Sequence, residues 1–401
     1  MALENEKKCY ELILNYNCNA RCTFCSQGSF DKSLNADFDM VAAGIYSAYK
    51  AGYRKLGFTG GEPLVNPYLL KAVALAKSVG FRFIRLQTNG IMLDDPAFCR
   101  KLVRAGLTFC KFSLVSDKPA EHDRLVGVPG AHRRAVGGVK NLRRLKIRLG
   151  NNILVNRSNY RRLPAIIGGL LELGISHFVV IYPVYTGAMA ENIETLGVSL
   201  PACEKYFAGA ARRMEKAGLS GEILFLNVPP CFLKGRESQA IGLDLFNTLV
   251  TDPLGAKVSL DDSSRSAKVR APVCAGCAFR GRCGGVDAGY ARNYGFAGFE
   301  AVKNTARAVG AAEEIPRVYF SDNELCLLEI LNKEKRVTTR KVLELAKNIV
   351  LCRDCADGNS VINSAHSLAK KGFVESVFER GRYYWRLKKN AAKAVPGGLP
   401  A

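Results

Sequence analysis

Six short apolar segments, Tyr10 to Leu14, Lys55 to Thr59, Arg82 to Gln87, Phe109 to Leu114, Arg148 to Val155 and His177 to Tyr182, alternate with amphipathic or polar stretches long enough for a helix. Parallel strands need long crossovers, usually helical, so this alternation predicts parallel βα units. At 401 residues and 48% hydrophobic content the chain can bury two or three domain cores. No run of about 18 uncharged apolar residues occurs, which predicts no transmembrane helix and no membrane partner. Fourteen cysteines without a secretory signal point to a reducing compartment, hence the cytoplasm.

The first strand segment runs directly into Asn-Tyr-Asn-Cys-Asn-Ala-Arg-Cys-Thr-Phe-Cys, which sets Cys18, Cys22 and Cys25 in a C-x3-C-x2-C loop. A disulfide framework fits poorly, because the number is odd and the loop short. A structural zinc site normally closes with a fourth ligand, and the first histidine downstream is His122. A cubane iron–sulfur cluster normally takes four cysteines, so three together leave one iron open to a small molecule. The second segment ends in Gly60-Gly61-Glu62-Pro63, where glycines allow a close backbone approach that a Cβ would obstruct.

With these two motifs in this order, the chain resembles the radical S-adenosylmethionine (SAM) superfamily. The resemblance implies an α/β fold, a partial (β/α)6 TIM-like barrel with its active site at the C-terminal ends of the strands. It also implies that Cys18, Cys22 and Cys25 carry a [4Fe-4S] cluster whose open iron binds SAM. Phe24 would then lie near the adenine, and Gly60, Gly61, Glu62 and Pro63 would face the SAM ammonium. Further candidates stand at strand ends: Asn89 after the third, Ser113 after the fourth, Arg124 in the loop beyond it for the SAM carboxylate, Asn156 after the fifth, also for the carboxylate, and Tyr182 ending the sixth, for the adenine. Each of these last five also reads as an ordinary turn, cap or core residue. Cys99, Cys110 and Cys203 read as small buried hydrophobes, and the histidines lack ligand spacing.

Beyond Pro229 the pattern changes. Cys231 follows a Pro-Pro turn, and later comes Cys274-x2-Cys277-x5-Cys283, a metal-binding spacing. The run resembles the SPASM and twitch extensions of radical SAM enzymes, which implies an auxiliary [4Fe-4S] cluster on Cys231, Cys274, Cys277 and Cys283. Asp287 stands where the full SPASM pattern has a further cysteine, so one auxiliary cluster is expected rather than two. The same four thiolates also suit a zinc ribbon.

Ser321 begins a capping-box pattern, and three helical stretches followed by two strands around Glu-Arg-Gly-Arg resemble a winged helix-turn-helix. Such a module can grip nucleic acid, a leader peptide or a second subunit. Its net charge over residues 321–390 is +5, from 14 basic and 9 acidic residues, while the whole chain carries +22. The basic stretch Leu125 to Gly150 reads as a solvated helix face. Cys352-x2-Cys355 is expected to hold no metal. The expected domains are residues 1–228 (barrel), 229–300 (auxiliary cluster), 301–320 (connector), 321–390 (winged-helix-like) and 391–401 (disordered tail).

The resemblance implies reductive cleavage of SAM to a 5′-deoxyadenosyl radical that removes hydrogen from a peptide or protein side chain, with a flavodoxin or ferredoxin as electron donor. A nucleotide, tRNA or small cofactor precursor is the second substrate class. A DNA-binding iron–sulfur or SAM sensor is a third reading, against which the intact cysteine and GGEP motifs argue.

Overall fold

The computed structural model describes residues 9–242, 248–259, 267–303, 322–334, 336–346, 358–370, 372–379 and 382–388. The chain divides into two compact units. One comprises Glu6–Ala42 and Lys55–Ala312, the other Met1–Asn5, Ala43–Arg54 and Glu313–Ala401.

In the first unit β1 (Cys9–Ile13), β2 (Lys55–Thr59), β3 (Phe83–Thr88), β4 (Phe109–Phe112), β5 (Arg148–Leu154) and β6 (His177–Ile181) match the six predicted segments to within two residues. The crossovers carry α1 (Phe38–Lys50), whose residues from Ala43 on belong to the other unit, α2 (Leu69–Val79), α3 (Pro96–Ala105), α4 (Pro119–Val126), α5 (Ala131–Arg144) and α6 (Leu163–Glu172). After β6 come α7 (Ala188–Glu191), α8 (Ile193–Leu196) and α9 (Leu200–Lys216).

The sheet is larger than the expected six strands. β7 (Ile223–Leu226) and β8 (Ala240–Ile241) continue the parallel series, while β9 (Leu249–Thr251) joins β1 in parallel and β10 (Lys257–Ser259) joins β9 antiparallel. The order is β10-β9-β1-β2-β3-β4-β5-β6-β7-β8, an open, curled partial barrel. Residues 229–300, expected as a separate region, therefore supply three strands to the barrel sheet. Strands of two or three residues are too short for any periodicity to reveal.

Each central strand has one apolar and one polar side. Leu56, Phe58, Leu86, Cys110 and Phe112 are fully buried, worth about 1.5–3 kcal/mol for each large apolar side chain. A Cβ on Gly90 would come within 2.6 Å of the Phe112 ring and 3.3 Å of Ala135 in α5, which places this apolar side beneath the helices. The alternate positions, among them Glu11, Gly57, Arg85 and Lys111, consequently line the inside of the curl.

The auxiliary-cysteine segment adds β11 (Lys268–Val269), β12 (Val286–Asp287) and α10 (Ala288–Tyr294). Asp287 accepts hydrogen bonds from Gly289 N at 2.9 Å and Tyr290 N at 3.3 Å. Where a further cysteine was sought, the chain thus carries a helix cap.

The second unit has the expected order of three helices and a hairpin: α11 (Asp322–Lys333), α12 (Thr339–Ala346), α13 (Gly358–Lys370), β14 (Val374–Glu379) and β15 (Arg382–Leu387). A two-residue strand, β13 (Val337–Thr338), completes the antiparallel sheet β13-β15-β14. Leu328, Leu331, Val342, Leu368 and Trp385 pack its core, and the Trp385 indole donates to Thr339 Oγ1 at 3.1 Å. Residues 1–8, the connector from 304, Ser321, Cys352, Cys355 and the tail from 389 lie outside the described residues. Among the described residues no helix is long and apolar enough to cross a membrane.

Candidate functional site

The loop after β1 is held by backbone contacts on both sides. Gly61 N donates to Asn15 O at 2.7 Å and Glu62 N to Asn17 O at 2.8 Å. The fully buried Asn15 returns the tie through Nδ2, to Asn17 O at 3.0 Å and Glu62 O at 3.1 Å. A Cβ on Gly61 would sit 2.6 Å from Tyr16 O and collide with Asn17 O, and Gly60 has a φ of +143°. The observed reason for both glycines is thus the crossing of two backbones. On the opposite side Arg21 N and Thr23 N donate to Val126 O and Leu125 O, each at 2.9 Å, and Ala188 N donates to Cys25 O at 3.0 Å. Asn192 Nδ2 reaches Thr23 O at 3.0 Å. The sequence reading missed Asn15 and Asn192; a polar residue closing the apolar segment before Cys18 is the only signal for the first.

The three thiols that this loop presents are free and half-buried. Burial pushes Cys22 up to about 12, with Cys18 and Cys25 adding to the effect, and burial likewise raises Cys18. Thiols this reluctant to ionise alone become thiolates when a cation takes the proton's place, so they fit a metal cluster. Asn89 extends the site: Nδ2 donates to Asn19 Oδ1 at 2.7 Å and stands 3.9 Å from Cys18 Sγ.

Glu62, expected to face SAM, is 1% exposed. Its carboxylate accepts from Thr88 Oγ1 at 2.7 Å, Asn89 N at 2.8 Å and Leu64 N at 3.1 Å. Burial pushes it up to about 7 against the lowering effect of those donors. It joins the ends of β2 and β3 and is a positioning residue. Pro63 opens the short turn of 3₁₀ helix that follows and is itself buried.

The remaining candidates divide. Phe24 is half-buried in the cysteine loop and Ser113 half-buried just past β4. Arg124 on α4 is exposed, and its guanidinium donates to Ser158 Oγ at 3.2 Å. Asn156 is fully buried, its Oδ1 accepts from Ser158 N at 2.9 Å and its Nδ2 donates to Leu154 O at 3.4 Å, so the amide closes its own turn. Tyr182 is buried, and its hydroxyl donates to Val198 O and lies 3.4 Å from that of Tyr185. Cys99, Cys110 and Cys203 are fully buried, as expected.

Cys231, Cys274, Cys277 and Cys283 line one cavity of about 380 Å³, its open mouth included, with Arg270, Arg280, Phe279 and Phe299 around them. Two sulfurs already accept backbone N–H groups: Gly285 N lies 3.3 Å from Cys283 Sγ, and the Glu300 amide bonds Cys231. Burial, with the other three thiols, pushes Cys231 up to about 12. Four cysteines lining one cavity, two of them with N–H donors to sulfur, fit an iron–sulfur cluster, whose potential such donors tune. Among the described residues no three His, Cys, Asp or Glu groups have the convergence that a single metal ion requires; a cluster distributes its thiolates over several irons.

Residues 12–167, from β1 into α6, match the radical SAM superfamily model. This segment is a radical SAM domain. Among its relatives, the PqqA peptide cyclase of Gluconobacter oxydans is 29% identical over 209 residues, 52% of this chain and 58% of that protein. A probable GTP 3′,8-cyclase of Saccharolobus islandicus is 26% identical over 252 residues, 58% of this chain and 79% of that protein. The match to the peptide cyclase therefore spans little more than half of that relative's length. In fold, the chain is similar to Streptococcus suis SuiB bound to its precursor peptide SuiA, with a TM-score of 0.56 at 13% identity over 69% of this chain and 71% of that one.

Proposed function

We propose that the protein is a radical SAM enzyme that modifies a side chain of a peptide or protein. The observation that carries this reading is the pairing of a three-cysteine loop with a separate four-cysteine cavity, each clear of the other's ligands in sequence, beside similarity to a peptide cyclase. Cys18, Cys22 and Cys25 would hold a [4Fe-4S] cluster, and Cys231, Cys274, Cys277 and Cys283 a second one. When bound, the first cluster and SAM supply reductive cleavage to a 5′-deoxyadenosyl radical. The residues of the chain act around that chemistry. Asn89 approaches Cys18, Phe24, Ser113 and Arg124 are candidates for holding SAM, and Glu62 fixes the two strand ends. A flavodoxin or ferredoxin would deliver the electron, in the cytoplasm.

Two assays test the reading. Anaerobically reconstituted protein should bind about eight irons per chain and form 5′-deoxyadenosine from SAM with dithionite. About four irons or none, with SAM left intact, would refute it and favour a sensor or a zinc protein. Similarity to a GTP cyclase favours one second reading, the same chemistry on a nucleotide. Salt-dependent binding of duplex DNA or tRNA through the winged-helix-like unit would support that reading, and its absence supports a peptide.

A further inference from the structure

The inner side of the partial barrel carries polar groups on neighbouring strands: Glu11 and Arg85 share one row across Gly57, Lys111 stands one inward-facing step further along β4, and Asn152 one step further again on β5. Glu11, Lys111 and Asn152 are 9%, 7% and 8% exposed. The Glu11 carboxylate occupies the place where a Cβ of Gly57 would be, and by crossing β2 there it reaches Arg85 in an ion pair. That pair is neutral as a unit. Lys111 has no ion-pair partner among the described residues, and its ammonium stands 6.0 Å from the Phe109 ring centroid. Three buried atoms of this group, Glu11 Oε2, Arg85 Nε and Asn152 Oδ1, make no hydrogen bond. Buried polar atoms nearly always have partners, and a group of exceptions calls for an explanation.

Lys111 changes charge near neutrality, as Glu62 does at the strand ends. Burial lowers Lys111 to about 7, Arg85 and Arg148 lowering it further and Glu11 and Cys9 raising it. Burial also holds His177 down at about 4 and Cys9 up at about 12. An anion beside Lys111 would restore its proton. The position is also the right one for a substrate. Lys111 is one inward-facing step below Ser113, ~7 Å along the strand, so it lies beneath the ring of strand ends where the chemistry is expected.

We propose that these side chains form the floor of the substrate pocket, where Lys111, with Arg85 on the neighbouring strand, receives a carboxylate carried by the substrate. The inference rests on the peptide-modifying reading and narrows it to peptides with an acidic side chain at or next to the modified residue. Asn152 Oδ1 would take an N–H from the same segment.

Calorimetry with the reconstituted protein and blocked pentapeptides tests it. Acetyl-Gly-Gly-Glu-Gly-Gly-amide should bind about tenfold or more tightly than its Gln counterpart, the size expected of a hydrogen bond to a charged group. Lys111→Met should abolish that ratio and Lys111→Arg should keep part of it, both checked for folding by circular dichroism. Should the variants not fold, the wild-type protein decides alone: the Glu-to-Gln ratio should fall at least fivefold from about pH 7 to about pH 9, as Lys111 loses its proton. Equal binding of the two peptides, a ratio that survives in Lys111→Met, or a ratio flat with pH would overturn the proposal. Tighter binding of the phosphoserine peptide than of the Glu peptide would overturn it in favour of a phosphate-bearing substrate. Because calorimetry needs no turnover, a failure of SAM cleavage and a failure of this site are seen separately.

Discussion

Replacing Gly61 by alanine tests whether the GGEP turn serves first to seat the cysteine loop. The added Cβ would lie 2.6 Å from Tyr16 O and closer still to Asn17 O, whereas carbon–oxygen contacts run at about 3.3–3.6 Å. One backbone must therefore retreat by about 1 Å. The retreat strains two bonds, Gly61 N to Asn15 O at 2.7 Å and Glu62 N to Asn17 O at 2.8 Å, each worth about 1 kcal/mol net. Overpacking adds about 1–3 kcal/mol, for a local cost of about 3–5 kcal/mol. At 1.4 kcal/mol per tenfold, the seated loop becomes roughly a hundred to a few thousand times less populated. Asn15 and Tyr16 are buried, so the β1 side of the crossing cannot give cheaply.

After anaerobic reconstitution, Gly61→Ala should bind about four irons per chain instead of about eight and form 5′-deoxyadenosine at least about a hundredfold more slowly. The iron that remains should belong to the four-cysteine cavity. Gly221→Ala is the control, because a Cβ there would meet nothing within 4 Å, and it should match the wild type. Wild-type iron and rate in Gly61→Ala would refute the reasoning.

Cys277→Ser should remove about four irons yet leave cleavage of SAM within a fewfold of wild type; complete loss of cleavage would mean that the two cysteine sites are not independent. Glu62 should set a pH dependence. Its pKa is raised from 4.5 to about 7, so its contribution to stability is fully present below about pH 4.5 and declines as pH rises to about 7, by about 3 kcal/mol in all. Between about pH 6 and about pH 8 urea unfolding should show wild type losing about 1 kcal/mol relative to Glu62→Gln; parallel curves would place the proton elsewhere. Trp385 is the single tryptophan and is buried in the second unit, so its fluorescence follows that unit. Leu328→Ala, removing a fully buried side chain, should destabilise it by about 2–5 kcal/mol in that signal. The iron content should not change, and a parallel loss of iron would show that the two units unfold together.

What could be read from the sequence was local. Six strands were legible because each is a separate apolar run followed by a helix-length stretch, and the cysteine groups because ligand spacing within a loop needs no tertiary information. Cys231 joined its group on resemblance alone, and the cavity now places it with the other three sulfurs. Ligands at strand ends are less legible, for a physical reason. The last residue of a strand must also close a turn, and an amide or phenol does either job with the same atoms. Asn156 closes the turn by accepting from Ser158 N, and Tyr182 anchors Val198 O; the sequence distinguishes neither role. The polar middle of the barrel was, by contrast, legible and overlooked. Gly57, Arg85 and Lys111 alternate with Leu56, Phe58, Leu86, Cys110 and Phe112, and in a sheet whose outer side is covered by helices the polar side has only the inside left to it. A share of the high positive charge, Arg85 and Lys111 included, therefore belongs to the interior, and Lys111, which lacks the acidic partner that Arg85 has in Glu11, is where an acidic substrate would register.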